Sequence, residues 1–574
     1  MSDLLDGVWK DLTQNTVLFP LELAVLVSFI LLQRVPGFEG EWFPSLTQRF
    51  HRLSRRRGLS ILCAFGVTLG GRFLMEPGSV LPAPGVHDEY SYLLAADTFA
   101  SGRLTNPAHP MRYFFESFHI LTEPTYMSMY PPGQGLMLAA GILLTGKAIA
   151  GVWLSAALAA AALCWMLQAW TSPSWALLGS LLFAVRIGFF SYWGNSYWGG
   201  CVAAIGGALL FGAAARLRRH PHWKHGLVFG LGMVLLGNTR PWEGGLISAA
   251  AFVWVCFRIF KEGKPWRKWG LPVAVPVLCC LMVGGLATEY YNYRVTGNGF
   301  RLPYIENRLR NQVHGTFIWQ PANMNRQYNH EALRAFYFEW EGYPLQLGYW
   351  RVQLEKPSRL WFFFLGPALT LGLPGLWRSW KTPRLELAWV LVTVFACSHL
   401  VVPWHILPHY AAPVLGPIYL LLVEGIRRLA RWNVNGIPGG RQLVRAALGT
   451  SLILMFFRSA APALNTSVYG ELTSSWYSYG LLSNYSRQKM ADKLNALGGK
   501  HLVLVEYSAG HQPHQEWVYN RADIDASPVV WARNVGNTAK RVELLKYYKD
   551  RHFWIVYPDR NPNQLFDFKE PSHD

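Results

Sequence analysis

Charged side chains are scarce in this 574-residue chain: Asp, Glu, Lys and Arg make up 15% of it, against about 25% in an ordinary soluble domain. With 51% of residues hydrophobic, that deficit excludes a single soluble globular fold. Cysteine is scarce as well. Cys63, Cys164, Cys201, Cys256, Cys279, Cys280 and Cys397 all fall in apolar stretches. That placement argues against a disulfide framework or a metal site and predicts buried small hydrophobes. There is no Gly-rich phosphate loop, no internal repeat and no low-complexity linker. A basic region leading to a small-residue cleavage site is also lacking at the N-terminus, so Leu18–Leu32 is expected as a retained helix rather than a signal peptide.

What the chain has in quantity is apolar runs of about 17–25 residues, the length that crosses a hydrocarbon core about 30 Å thick. They are expected at 17–33, 58–75, 134–147, 149–170, 174–192, 200–217, 225–241, 244–260, 271–290, 359–377, 385–402, 409–426 and 443–460. The 26 Trp and 26 Tyr supply aromatic belts for the two interfaces. The net charge of +19 comes from clusters at the ends of apolar runs: Arg49–Arg57, Arg216–Lys224, Lys261–Lys268, Arg378–Arg384 and Arg427–Arg431. Such clusters mark cytoplasmic loops rather than a nucleic-acid surface. On that basis residues 76–133, 193–199, 239–243, 291–357, 403–409 and the chain beyond about 460 lie outside. One segment breaks the alternation. Residues 134–147 start outside and by parity end outside, so this segment re-enters or the division of 134–192 is different.

The fold expected is a polytopic α-helical membrane protein with about 12–13 transmembrane or re-entrant helices. The membrane module is residues 1–460, with external loops 76–133 and 291–357, and a small extracytoplasmic α/β domain follows at 461–574. In that domain, 501–507 and 552–558 read as buried strands and 539–550 as an amphipathic helix between them.

The polar groups that do not mark topology fall on the outer side. His87-Asp88-Glu89 precedes a run with helical spacing at Tyr92, Ala95, Ala96 and Phe99. Paired carboxylates at a membrane surface are costly, which makes them candidates for a general base. The plainer reading is a helix start, with Asp88 as cap and Glu89 complementing the dipole. Tyr130-Pro131-Pro132-Gly133 punctuates the next helix start. Arg240, in the outer turn Asn238–Glu243, either binds an anion or pairs with Glu243 or Glu289. His405 and His409 flank Pro408 in the run Trp404–Tyr410. Their spacing alone is a weak metal signal and fits interfacial histidines better. Ser191–Gly200, which contains Trp198, is either a sugar-stacking loop or an aromatic belt at a tight turn.

The segments GVHDEYSYLLAADTFASGRLTNP and MSMYPPGQGLMLAAG resemble the membrane glycosyltransferases of the C-type fold, which include the protein O-mannosyltransferases and the lipid A aminoarabinose transferases. The resemblance is specific over residues 85–141 and covers the rest only as an overall plan. It implies a polyprenyl-phosphate-linked sugar donor, an acceptor hydroxyl on a lipid, glycan or protein, and an extracytoplasmic site in a bacterial inner membrane. By the same resemblance Asp88 matches the catalytic base, Glu89 its acidic neighbour, and Tyr130 the helix-start motif. His409-Tyr410 stands where relatives carry Arg-Tyr, which shifts the lipid-phosphate role toward Arg240. His87, Glu243, Trp198 and His405 are then substrate-binding candidates. The resemblance gives no certain cofactor and leaves metal dependence open; a divalent metal near the phosphate would stabilise the departing charge.

A transporter or lipid flippase is the rival from another class, and predicts ionisable residues deep in helices together with repeat symmetry. Arg186 and Glu289 are the main charges inside apolar runs, and no repeat is visible. A noncatalytic scaffold would leave the acidic pair and Arg240 without a purpose.

Overall fold

The structure is a computed structural model that describes residues 18–33, 35, 44–75, 81–263, 265–404, 407–433, 439–460, 484–536 and 538–568. It is mainly helical. Among the described residues, seven helices are long and apolar enough to cross a membrane: Arg57–Met75, Ala148–Trp170, Cys201–Arg219, Pro241–Lys261, Gly270–Thr296, Pro408–Leu429 and Gly439–Ala460. Shorter apolar helices are Phe19–Leu32, Pro132–Thr145, Pro173–Gly188, Trp223–Gly237 and Glu386–Leu400. The chain is therefore a polytopic helical membrane protein. It divides into two compact units, one of residues 1–81, 151–286 and 347–481, the other of 82–150, 287–346 and 482–574.

The first unit holds most of the apolar helices. Among its glycines, Gly207 marks a close approach. A Cβ there would stand 2.1 Å from the carbonyl oxygen of Pro413, so the helix Cys201–Arg219 lies directly against the turn that carries His409 and Tyr410. Alanine ordinarily favours a helix over glycine by about 1 kcal/mol. Gly207→Ala is nonetheless expected to destabilise the protein by about 1–3 kcal/mol, because the obstacle is backbone. Thermal unfolding of the full chain in detergent checks this, and an unchanged or raised midpoint would contradict the packing.

Two features of this unit differ from the sequence expectation. The apolar segment at 359–377 is not one helix: Tyr349–Phe364 and Gly366–Leu376 meet at 96°. Gly366 takes a φ of +59°, and a Cβ on it would come within 2.3 Å of the Arg186 guanidinium, so the break needs glycine for both reasons. Arg186 itself sits on a π-helical turn, Ala184–Gly188. Its Nη1 is 3.6 Å from Glu22, and its Nη2 and Nε donate to the carbonyls of Phe362 and Phe363 at 2.8 and 3.1 Å. This buried charge is thus held by an ion pair and by the backbone at the bend. Second, only Cys164, Cys201 and Cys280 are buried, while Cys256, Cys279 and Cys397 lie on outward helix faces. A lipid-facing surface has the composition of a core, so apolar context alone does not distinguish the two.

The second unit contains the helix His87–Ala100, a small antiparallel sheet and the helix Pro132–Thr145. In the sheet, Thr125–Ser128 lies between Asn106–Pro107 and Ile120–Leu121. Pro132–Thr145 is 14 residues, hence about 21 Å long and short of a bilayer crossing. It packs on His87–Ala100, where a Cβ on Gly135 would stand 2.7 Å from that of Ala95. The segment that broke the alternation is therefore an apolar helix too short to span on its own, packed on the helix of the first loop.

The same unit includes the C-terminal α/β fold. Its sheet runs in the order Val529–Arg533, His501–Val505, His552–Val556, Phe566–Asp567, with the first three strands parallel and the last antiparallel. Strand periodicity places alternate residues on opposite faces. Leu502, Leu504, Val530 and Ala532 share a core with Tyr90, Leu94, Phe114, Phe115 and Tyr126 of the first loop. Val503, Val505, Trp531 and Val556 pack instead with Met490 and Leu494 of the helix Tyr485–Leu497.

Candidate functional site

Asp88, Ser91 and Tyr92 stand three and four residues apart on the helix His87–Ala100 and so share one face. Ser128 and Tyr130, two apart at the end of the central strand of the small sheet, meet that face. Ser91 and Ser128 hydroxyls lie 2.7 Å apart, and the rings of Tyr92 and Tyr130 stack at 4.5 Å. This registration carries the Tyr130 hydroxyl to Oδ1 of Asp88, to which it donates a hydrogen bond. A third group completes the arrangement. Nδ1 of His119 stands 3.1 Å from the Tyr130 hydroxyl and 3.3 Å from Oδ1 of Asp88. Both contacts to Asp88 fall on Oδ1; among the described residues Oδ2 makes none. The Asp88 side chain is 21% exposed and that of His119 12%, so a ligand has access to both.

His119 is held in an uncommon backbone conformation, with a φ of +58°, which costs a non-glycine residue about 1–3 kcal/mol. Its carbonyl accepts the Ser91 hydroxyl at 2.7 Å and the Met129 N–H at 3.1 Å. Those two bonds fix the turn that aims the imidazole at Asp88.

Glu89 is placed differently. Its Oε2 accepts the N–H groups of Gly85 and Val86 at 2.9 and 3.2 Å, and the side chain is buried. This is the reach-back half of a capping box at the start of its own helix. The helix begins at His87 with Val86 at the cap position, so the capping role expected of Asp88 falls to Glu89 and leaves the Asp88 carboxylate for other use.

His87 is buried and its Nδ1 meets the Tyr519 hydroxyl at 2.8 Å. Its ring stacks on His514 at 4.7 Å. Burial, and then the nearby His514, His119, His511 and Arg533, hold His87 well below the ordinary histidine value. Burial likewise pushes His514 down to about 4, against an opposing pull from Asp88. His330 is also lowered to about 4, by burial and then by Arg533. These imidazoles stay neutral in the folded state where an unfolded histidine, with an ordinary value of about 6.5, takes a proton. The unfolded state then binds more protons, so stability is complete above that value and falls as pH drops toward 4. The melting temperature of the full chain is expected to decline between about pH 7 and pH 4.5; a flat profile over that range would contradict the burial of this cluster.

A cleft of about 610 Å³ opens in the same unit, lined by Arg112, Glu116, Glu123, Arg310, Arg326 and Asn329 among others. Its wall at Glu116 and Ser117 continues directly into Phe118 and His119, so one segment borders the cleft and supplies an imidazole to Asp88.

In the first unit, separate stretches of sequence bring together most of the other expected residues. The guanidinium of Arg240 lies over the Tyr410 ring at 4.8 Å. Nδ1 of His409 is 2.9 Å from the Tyr192 hydroxyl, and its ring is 5.0 Å from that of Trp198. Glu243 meets His399 at 3.7 Å. Lys356, which the motifs did not mark, donates to the carbonyls of His399 and Val402 at 2.8 and 2.6 Å and so secures the end of the helix Glu386–Leu400. His405 lies outside the described residues. Among the described residues, no three His, Cys, Asp or Glu side chains are grouped to hold a metal ion.

Sequence reasoning thus named His87, Asp88 and Tyr130 but missed His119, His514 and Tyr519. His119 sits in SFHILTEP, where nothing local distinguishes it; only pairing across the small sheet does.

No protein-family model matches this chain, and no curated protein does. Among solved structures it is similar to ArnT from Cupriavidus metallidurans bound to undecaprenyl phosphate, with 15% identity, a TM-score of 0.48 and coverage of 87% of this chain and 90% of that one. It is also similar to the oligosaccharyltransferase of Archaeoglobus fulgidus in complex with Zn and sulfate, with 13% identity, a TM-score of 0.42 and coverage of 87% and 67%.

Proposed function

We propose that this chain is a membrane glycosyltransferase that moves a sugar from a polyprenyl-phosphate-linked donor to an acceptor hydroxyl, with inversion, on the extracytoplasmic face. The observation that supports it most is Asp88. One carboxylate oxygen is gripped by Tyr130 and approached by His119, the other makes no bond among the described residues, and the side chain is partly exposed. A carboxylate so oriented is suited to take the proton of an incoming hydroxyl. As that proton leaves, the acceptor oxygen bonds to the anomeric carbon and the bond to the donor phosphate breaks from the opposite side. The phosphate departs with the electron pair and needs no proton, so one base suffices, unlike the paired carboxylates of glycoside hydrolases. Glu89, turned to its own helix start, takes no part in this step. Taken by itself, the first unit offers Arg240 as its candidate for an anionic group, since a guanidinium binds phosphate through paired hydrogen bonds.

The discriminating experiment is reconstitution of the full chain in liposomes with a polyprenyl-phosphate-linked sugar and a membrane extract as acceptor source. A transferase releases one polyprenyl phosphate for each new glycosidic bond, and the product carries the anomeric configuration opposite to the donor's. A flippase moves the donor across the bilayer and leaves it intact. Recovery of intact donor at the level of protein-free liposomes would remove the glycosyltransferase reading.

A further inference from the structure

We infer that His119 carries the proton away from Asp88 after each transfer, returning the carboxylate to its charged form within the site. The inference rests on the reading of Asp88 as base and goes beyond it. A base that takes a proton from every acceptor must lose it again before the next turn, and an imidazole beside it provides the exit. The geometry points to His119 for this. Its Nδ1 stands 3.3 Å from the oxygen of Asp88 that also binds Tyr130, and 3.1 Å from the Tyr130 hydroxyl. Three groups therefore converge on one proton position.

The placement is not incidental to the fold. A side chain with a left-handed backbone persists only where the surroundings over-determine it, and such strain gathers at functional sites. Here the carbonyl of His119 is held from two sides, by Ser91 and by the N–H of Met129. Ser91 lies three residues from Asp88 on the same helix face. One hydroxyl thus ties the position of the imidazole to the helix that carries the carboxylate.

The proton balance is complete. The acceptor hydroxyl gives its proton to Asp88 as its oxygen bonds to the sugar, and the donor phosphate keeps the electron pair of the broken bond. The proton then passes from Asp88 to Nδ1 of a neutral His119, directly or over the Tyr130 hydroxyl, and the imidazolium releases a proton to water. The titratable groups facing the His119 ring are Asp88 and Tyr130 on the one side, and His87 and His514 on the other. The last two are held neutral by burial, so they do not compete for the proton.

The test uses the full chain in detergent with a polyprenyl-phosphate-linked sugar and a membrane extract as acceptor source, comparing wild type with His119→Asn and His119→Gln. Asparagine tolerates a left-handed backbone better than most residues, so His119→Asn separates loss of the imidazole from loss of the turn. The expected result is a kcat lower by about 10²-fold in both variants, at unchanged donor KM, with the acidic limb of the wild-type pH profile displaced. Added free imidazole is expected to restore rate to His119→Asn in proportion to its neutral fraction, which a purely structural defect would not allow. A wild-type kcat in His119→Asn, or a loss that imidazole leaves untouched, would overturn the relay. If Asp88→Asn keeps the wild-type rate, it is the reading of Asp88 as base that fails.

Discussion

Asp88→Asn is expected to lower the rate of sugar transfer by about 10²–10⁴-fold, the range that a positioned general base contributes, with little change in folding. Asparagine keeps the size of the side chain and still offers an oxygen to the Tyr130 hydroxyl that binds Oδ1 in the wild type. What it lacks is the capacity to accept the acceptor's proton. Donor KM should therefore hold while kcat collapses, the pattern of an interaction needed only in the transition state. The adjacent carboxylate is the control. Glu89→Gln retains the reach-back bond to Gly85 and Val86, since glutamine serves in the same capping position. Its transfer rate is expected within a few-fold of wild type. Equal losses at the two positions, measured as product per unit of folded protein, would mean that the carboxylates act as a pair and that the division of roles is wrong.

That division shows what the sequence could and could not convey. The acidic run and the Tyr-Pro-Pro start were legible because both are local: residues three and four apart on a helix face one way, and Pro marks a first turn. Which of two neighbouring carboxylates caps and which is free was not legible. It depends on whether the helix begins at His87 or Asp88, a one-residue matter decided by the approach of the chain through Gly85 and Val86. His119 was missed for a different reason, because its partner strand and Ser91 come from separate elements. His514 and Tyr519 lie more than 400 residues from His87 along the chain, as the separation of 432 for the His87–Tyr519 contact records. Strands at 501–507 and 552–558 were expected and appear as His501–Val505 and His552–Val556, whereas Val529–Arg533, of the same length, was not expected. In the helices, hydrophobic runs foretold most lengths, although Trp266–Thr296 is 31 residues where 271–290 was expected. They did not foretell the 96° break at Gly366, because nothing in a single apolar stretch reveals the arginine that packs against it.

Glu516→Gln is expected to destabilise the protein by about 3–5 kcal/mol, the cost of leaving one member of a buried ion pair without its partner. The Glu516 side chain is fully buried and that of Arg533 is 4% exposed, with Nη2 of the arginine 2.6 Å from Oε2 of the glutamate. The other oxygen, Oε1, accepts the N–H groups of Trp517 and Val518 at 3.0 and 2.7 Å and the hydroxyl of Tyr507. Glutamine can fill Oε1 but would place an amide N–H₂ against the guanidinium, or the reverse. Removing both charges together, as in Glu516→Gln with Arg533→Met, should cost less than the sum of the single changes, because neither charge is then stranded. Unfolding midpoints of the three variants in detergent check this, and additive losses would show that the pair is not coupled. The consequence extends to the site. Nε of Arg533 donates to the carbonyl of Glu116 at 3.0 Å, three residues before His119 and on the segment that walls the polar cleft. The C-terminal sheet thus anchors, through one arginine, the loop that delivers the imidazole to Asp88. A variant that keeps the pair's neighbours but loses Arg533 should therefore transfer sugar more slowly even at temperatures where it remains folded, and the deficit should be smaller in a background that already carries His119→Asn.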